Sequence, residues 1–450
     1  MIDPAFPNQL RNVIALALLY AFRMLGLFMV LPVLVLYADD YRHSSPLLLG
    51  AALGAYGLSQ ALLQIPFGMW SDRWGRKPVI AIGLLVFALG SVVAAMADSV
   101  YGLILGRFLQ GAGAIGSALM AMVGDLTSDQ NRTKAMAGIG ASIGLAFSAA
   151  LVLGPLISQF GGLSAIFWLT AGFATVGLVI LGAALPSSGR GTRLEVSTNQ
   201  SSIITVLRNR DLLRLDWGIF TLHFVLMANF VVLPVLLRDV VGLQGDRHWR
   251  VYLPLLAGAF VLMLPFMLFA ERKRQVKAVF LGAVALLGLM QLMLLWVYSE
   301  PLGLLICLFL FFVAFNLLEA NLPSLVSKLV TRGLRGTANG VYSTSQFTGI
   351  ALGGVLGGAV LAWGGPPAVF AVCSLFAAIW WVVALFMSKP PQLTSLVVSL
   401  EGRDQQRALA QLLQLPGVAE VDWLEAERAA RLKVDRAVFR EETITELGTG

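Results

Sequence analysis

Four ionisable side chains stand deep inside apolar runs: Arg23, Arg107, His223 and Glu319. A charge inside hydrocarbon is costly unless it faces a partner or a water-filled cavity, so such groups point to ion or proton pathways. Glu319 and His223 are the natural proton carriers of the set, because a buried carboxyl and a buried imidazole both exchange protons near neutral pH. Asn316 lies one turn before Glu319 on the same helical face and could share its hydrogen bonds. Arg107 and Gln110 are likewise three apart, which suits either proton coupling or plain interhelical bonding. Glu319 could instead serve in a structural ion pair, with Arg23 as one partner, and His223 could simply bond to a neighbouring helix. A second set would line a cavity for a small solute: Tyr20, Tyr56, Gln60, Gln64, Gln110, Asn316, Tyr342 and Gln346. Gln60 and Gln64 share a face. Few fixed charges among 26 Phe and 14 Met residues suit an apolar or amphipathic solute.

The elements that must hold these groups are membrane spans. Of 450 residues 58% are apolar and only 13% charged, far from the roughly 25% charged of soluble domains. A span needs about 20 apolar residues, and the runs predict twelve helices, at 12–37, 47–68, 78–97, 100–124, 136–159, 163–185, 213–238, 250–270, 278–298, 302–327, 338–363 and 367–388. The polar start leads straight into the first run with no small-residue cleavage site, so that helix is expected to be retained. Alternate loops carry the positive charge: Arg73, Arg76, Lys77, Arg272, Lys273, Arg274, Lys328 and Arg332 on one side, against Arg42, Arg247 and Arg250 on the other. The positive-inside rule makes the rich side cytoplasmic and puts both termini inside. The expected location is a bacterial-type inner membrane. The net charge of +7 belongs to these loops, so nucleic acid is not an expected partner. Two cysteines and three scattered histidines offer no metal or redox centre, and the energy source is expected to be a proton gradient without a cofactor. No nucleophile motif or phosphate loop suggests an enzyme.

The halves of the apolar part look like copies. Phe28-Met29-Val30-Leu31-Pro32-Val33-Leu34 matches Phe230-Val231-Val232-Leu233-Pro234-Val235-Leu236, and Pro66-Phe67 with Asp72-Arg73 matches Pro265-Phe266 with Glu271-Arg272. Such a parallel repeat gives two six-helix bundles, 1–186 and 213–388, joined by a cytoplasmic linker at 187–212. Rocking of two bundles about a midplane site is the basis of alternating access.

Between the second and third spans stands Gly68-Met69-Trp70-Ser71-Asp72-Arg73-Trp74-Gly75-Arg76-Lys77. Glycines permit a tight turn, and Asp72 with its basic neighbours can make charge-assisted bonds across a bundle interface. The stretch reads as a conformational latch. It resembles the loop motif GxLxDRxGR[RK] of the major facilitator superfamily, with Met69-Trp70 departing mildly. Arg107-Phe108-Leu109-Gln110-Gly111-Ala112-Gly113 is similar to that family's RxxQGxGxA, and Gly144, Gly154 and Pro155 to its helix-bending GxxxGP motif. The resemblance implies a latch that stabilises the outward-facing state, with Asp125 expected opposite Arg73. It also implies proton-coupled antiport, hence efflux. Leu156, Ile157 and Ser158 replace the usual glycines after the proline, which leaves a symporter or facilitator as the alternative.

After Pro390-Pro391 the composition becomes soluble. A strand at 395–400, a helix at 405–415, strands at 417–423 and 429–434 and a helix at 436–447 suggest a ferredoxin-like domain over 392–450. It has no cysteine or histidine for metal carriage. Self-association, regulation or a purely stabilising role all suit it.

Overall fold

The computed structural model describes residues 6–127, 129–186, 200–330, 334–388, 393–399, 411–424, 429–435 and 439. The first six spans are α1 (Phe6–Phe28), α2 (Pro46–Trp74), α3 (Arg76–Ala95), the pair α4 (Val100–Ala112) and α5 (Gly116–Leu126), α6 (Asp129–Ser158) and α7 (Gly162–Ala183). After a short surface helix α8 (Gln200–Arg208) come α9 (Arg210–Asp239), α10 (Trp249–Arg272), α11 (Val276–Val297), α12 (Pro301–Leu329) and α13 (Arg335–Leu385). Among the described residues, eleven segments are long and apolar enough to cross a membrane. The last holds two crossings, because its 50 residues would reach about 75 Å at 1.5 Å each. Gly365, at φ +68° and followed by Pro366 and Pro367, breaks it. The chain then doubles back, so that Gly353 and Phe376 both lie against Phe224 of α9.

Starts follow capping rules. Ser45 and Ser99 accept bonds from Leu48 N–H and Gly102 N–H, Asn209 caps α9, and Pro46 and Pro301 stand at first-turn positions. Two spans differ from the sequence expectation. The first is not one helix over 12–37: α1 ends at Phe28, turns follow around Pro32, and a 3-10 helix occupies Leu34–Asp40, because proline has no N–H to continue the ladder. The fourth breaks at 113–115, where Gly113 takes φ −71°, ψ 56°. A Cβ on Gly113 would run into the carbonyl oxygen of Gly83, a backbone atom that cannot turn aside, so that close approach disfavours a larger residue. By contrast α6 runs unbroken through Pro155, and Gly154 packs on the backbone of Met29. Gly144 has nothing within 4 Å.

A polar tie supports the repeat. Lys77 Nζ donates to the Leu185 carbonyl at 2.9 Å, and Lys277 Nζ to the Leu385 carbonyl at 2.9 Å, each across 108 residues. In both halves the third span's first turn thus fastens the end of the sixth, where free carbonyls await a cation.

The halves meet along α2 and α13. Gly50, Gly54 and Gly57 form one stripe on α2, set against the backbone of Gly354, Ala351 and Phe347 on α13, while Gly358 reaches Pro46. Small residues let two backbones touch, which is how helices associate where water drives nothing. At the same end Leu36 meets Gly245, and Gln159 Nε2 donates to the Asp246 carbonyl at 2.9 Å. Midway, Phe147 of α6 stacks obliquely on Phe315 of α12 at 5.5 Å between centroids. At the end bearing the 72–77 loop, Gly68 faces Ser117 of its own half, and Gly138, Gly140 and Gly144 of α6 have no neighbour within 4 Å. The two halves therefore close at the end where α2 begins and part towards the basic end. Burial differs along the bundle: the most apolar 18-residue stretch of α9 is 89% buried and that of α10 22%, so α9 belongs to the interior.

Beyond the spans, β1 (Leu393–Ser399), β2 (Val418–Leu424) and β3 (Ala429–Asp435) form an antiparallel sheet in the order β1-β3-β2. Leu432 pairs with Leu396 on one side and Val421 on the other. Ala430, Leu432 and Val434, alternating as strand residues must, pack with Leu412 and Phe439. Of the helix expected at 405–415 only the end from 411 is described, and that expected at 436–447 lies outside the described residues apart from Phe439.

Candidate functional site

The second half brings together the groups picked as proton carriers. His223 of α9 is 2% exposed, and its Nε2 stands 3.8 Å from Glu319 Oε2 on α12. Nδ1 lies 3.3 Å from the Ile219 carbonyl and Nε2 lies 2.9 Å from Gln346 Nε2 on α13. A carbonyl only accepts, so in this arrangement Nδ1 carries the proton and Nε2 accepts from the Gln346 amide. Glu319 Oε2 has no hydrogen-bond partner, although a third of the side chain is exposed. A bare carboxylate facing an imidazole lone pair is repelled. A proton on Glu319 removes that repulsion, and a proton on the ring turns the contact into an ion pair once Gln346 presents its oxygen. The geometry thus accommodates one shared proton in two placements.

Phe315 stands one turn from Glu319 towards the closed end and contacts both Phe147 and His223. The acid accordingly lies on the open side of the aromatic contact between the halves. Tyr342, one turn from Gln346, is buried with a hydroxyl that lacks a partner. Asn316 is half-buried, beside Phe315 in sequence.

Arg23 and Arg107 belong to a different region. Arg23, 1% exposed, donates to Gln60 Oε1, and Gln60 Nε2 passes the chain to Gln64 Oε1 at 2.5 Å. Tyr20 Oη donates to the Gly116 carbonyl at 2.6 Å beside them. Arg23 therefore does not pair with Glu319; among the described residues its side-chain hydrogen bond goes to the one amide oxygen of Gln60 and to no carboxylate. Arg107 donates to Gln110 Oε1 at 2.9 Å, Gln110 Nε2 to Ser91 Oγ at 2.8 Å, and the guanidinium sits 5.1 Å over the Tyr56 ring. Its partners all lie on α2, α3 and α4. Gln110 and Tyr56, fully buried in that network, are braces in this structure and do not line an open cavity.

The 68–77 loop forms the expected cluster with one partner exchanged. Arg76, not Arg73, reaches Asp125 of α5, at 3.1 Å, and it also bonds Asp72 and, at 2.8 Å, Ser71 Oγ. Arg73 is exposed. The reason is the turn: Gly75 at φ +96°, a conformation glycine alone adopts freely, swings Arg76 back over the loop. All these partners lie in the first half, so the cluster spans no inter-half contact in this state. Arg76→Ala is expected to destabilise the detergent-solubilised protein by about 1 kcal/mol, and Arg73→Ala by about zero, since these charges are partly exposed. Thermal unfolding of both variants checks the exchange.

Sequence reasoning missed Asp216. It is 7% exposed on α9, with Oδ2 buried and unpartnered. It stands near Arg210, Asp211 and Arg214 at the start of α9, yet Asp211 and Arg214 pair with each other at 2.7 Å and leave it inside. No group of three or more His, Cys, Asp or Glu gathers as metal ligands among the described residues.

The Major Facilitator Superfamily model matches residues 16–354 and 249–434. The inner membrane transport protein YajR of Escherichia coli (strain K12) is 45% identical over 435 residues, 96% of either chain. The class B tetracycline resistance protein of Escherichia coli is 33% identical over 141 residues, 31% of this chain and 34% of that one. Among solved structures, a bacterial homologue of the human lysosomal transporter Spinster, crystallised inward-facing and unoccupied, superposes with a TM-score of 0.67 at 16% identity, over 84% of this chain and 97% of that one. Matching family model, near-full-length relative and twelve-crossing helical fold agree: the chain belongs to the major facilitator superfamily and is an integral membrane transporter.

Proposed function

We propose that this transporter exchanges protons for a small apolar or amphipathic solute, exporting the solute by alternating access. The observation that carries the reading is the His223–Glu319 contact at 3.8 Å, an acid and an imidazole within ion-pair distance inside the spans. The site lies under the Phe147–Phe315 contact and opens towards the basic end. By the positive-inside rule that end is cytoplasmic, with both termini inside and the membrane the inner one; the conformation is then inward-facing. A proton released from the Glu319 site to the cytoplasm would vacate it for solute, and return of a proton from the far side would complete exchange. The partial likeness to a tetracycline resistance protein supports efflux of an amphipathic solute.

Within this reading residues 1–186 and 213–388 act as the two rocking bundles, with 187–212 as the linker. Gly68, Asp72, Arg73, Gly75, Arg76 and Asp125 act as the latch that engages across the halves when the cytoplasmic side closes. Strand order β1-β3-β2 supports a ferredoxin-like cytoplasmic domain over 392–450, serving self-association or regulation. Proteoliposomes loaded with a pH dye test the exchange. Under an imposed gradient, acid inside, adding tetracycline or another amphipathic solute outside is expected to alkalinise the lumen. A set of such solutes that moves no protons while still crossing the membrane would refute antiport.

A further inference from the structure

We infer that Asp216 is a second proton-binding site, set on the basic-end side of the Glu319–His223 site; this rests on the proton-exchange reading above. Three polar oxygens in this region are buried with no hydrogen-bond partner: Asp216 Oδ2, Tyr342 Oη and Glu319 Oε2. An orphaned carboxylate oxygen in hydrocarbon is strongly unfavourable, and protonation is the remedy that needs no counter-ion. Tyr342 makes no hydrogen bond to either acid. Helix register fixes their order. Gly349, Gly353 and Gly357 of α13 lie against Phe220, Phe224 and Ala228 of α9, so the two helices run side by side in one direction. On α13, Tyr342 precedes by one turn Gln346, which holds His223. On α9, Asp216 precedes His223 by seven residues, two turns on the same face and about 10 Å nearer the basic end.

The titratable groups facing this region are Tyr342 from α13 and Glu319 from α12. On α9 itself Asp211 and Arg214 bond each other, and Arg208 of α8 is exposed. No described cation therefore pins Asp216 in its charged form. Asp216 then stands as the exit-side station of the path, between the Glu319 site and the mouth at the basic end.

The test needs no knowledge of the solute. Full-length protein in nanodiscs is titrated while the infrared absorption of protonated carboxyl groups is followed. Wild type is expected to show two buried components; Asp216→Asn removes one, about half the signal, and Glu319→Gln removes the other. Asp216→Glu, which keeps the acid, should retain two components and guards against loss of fold. Tyr342→Phe, which removes no carboxyl, should keep both. An unchanged signal in Asp216→Asn overturns the second site, whatever Glu319→Gln does. Loss of signal in Asp216→Asn with none in Glu319→Gln overturns the exchange reading and leaves Asp216 as a proton site.

Discussion

Replacement of Glu319 by Gln is expected to abolish accumulation driven by a pH gradient, a loss of at least about 10²-fold, while downhill solute exchange persists. The amide keeps the volume and can still hydrogen-bond, so packing against His223 and Phe315 is preserved. What it loses is the second protonation state. With Gln in place the imidazole faces a permanently neutral neighbour, and the bundle can change sides without carrying a proton. Two assays on one preparation separate these quantities: dye-reported lumen pH with added solute, and exchange of labelled solute with no gradient. Proton movement that survives at the wild-type rate would remove Glu319 from the mechanism. Loss of both activities together would make it a structural residue.

Much of this site was legible because hydrocarbon leaves few options. Ionisable residues in long apolar runs are rare, so Glu319 and His223 stand out without any structure, and Gln346 was visible as an amide on a neighbouring span. Their contact was not, since nothing local fixes which face of α9 meets α12. Asp216 failed for the opposite reason: it sits close to a helix end rich in charge, where an acid usually reaches water. The latch residues were readable from glycine and charge spacing, but the choice of Arg76 over Arg73 depends on the backbone at Gly75. Span count and repeat came from composition and matching runs. The break at Gly113 did not, because a glycine inside an apolar run reads equally as a packing contact or a turn. Arg23 shows the limit of charge reasoning. An arginine in a span suggests a carboxylate partner, and here a relay of amides from Gln60 to Gln64 takes that place.

Gly354→Leu is expected to move the molecule away from the closed arrangement of its outer end. A Cβ at Gly354 would lie 2.7 Å from Gly54 N and 3.0 Å from its Cα. Backbone atoms cannot turn aside as side chains do, so relief requires α2 and α13 to part. Overpacking of this kind costs about 1–3 kcal/mol, which is about a 5- to 150-fold shift between two states. The shift falls on one state only, because the stripe of Gly50, Gly54 and Gly57 touches α13 at the closed end. A reporter sits at that end in the contact of Gln159 with Asp246. Cysteines placed at 159 and 246, with Cys307 and Cys373 replaced by alanine, should cross-link readily in the parent protein and roughly tenfold less in Gly354→Leu. Gly282→Leu is the matched control, since Gly282 has nothing within 4 Å, and its yield should equal the parent's. Equal yields in both variants would mean that the glycine seam does not set the balance between states. A fall confined to Gly354→Leu would place that balance in the direct backbone contact of two helices, with the 72–77 latch acting at the opposite end on the same equilibrium.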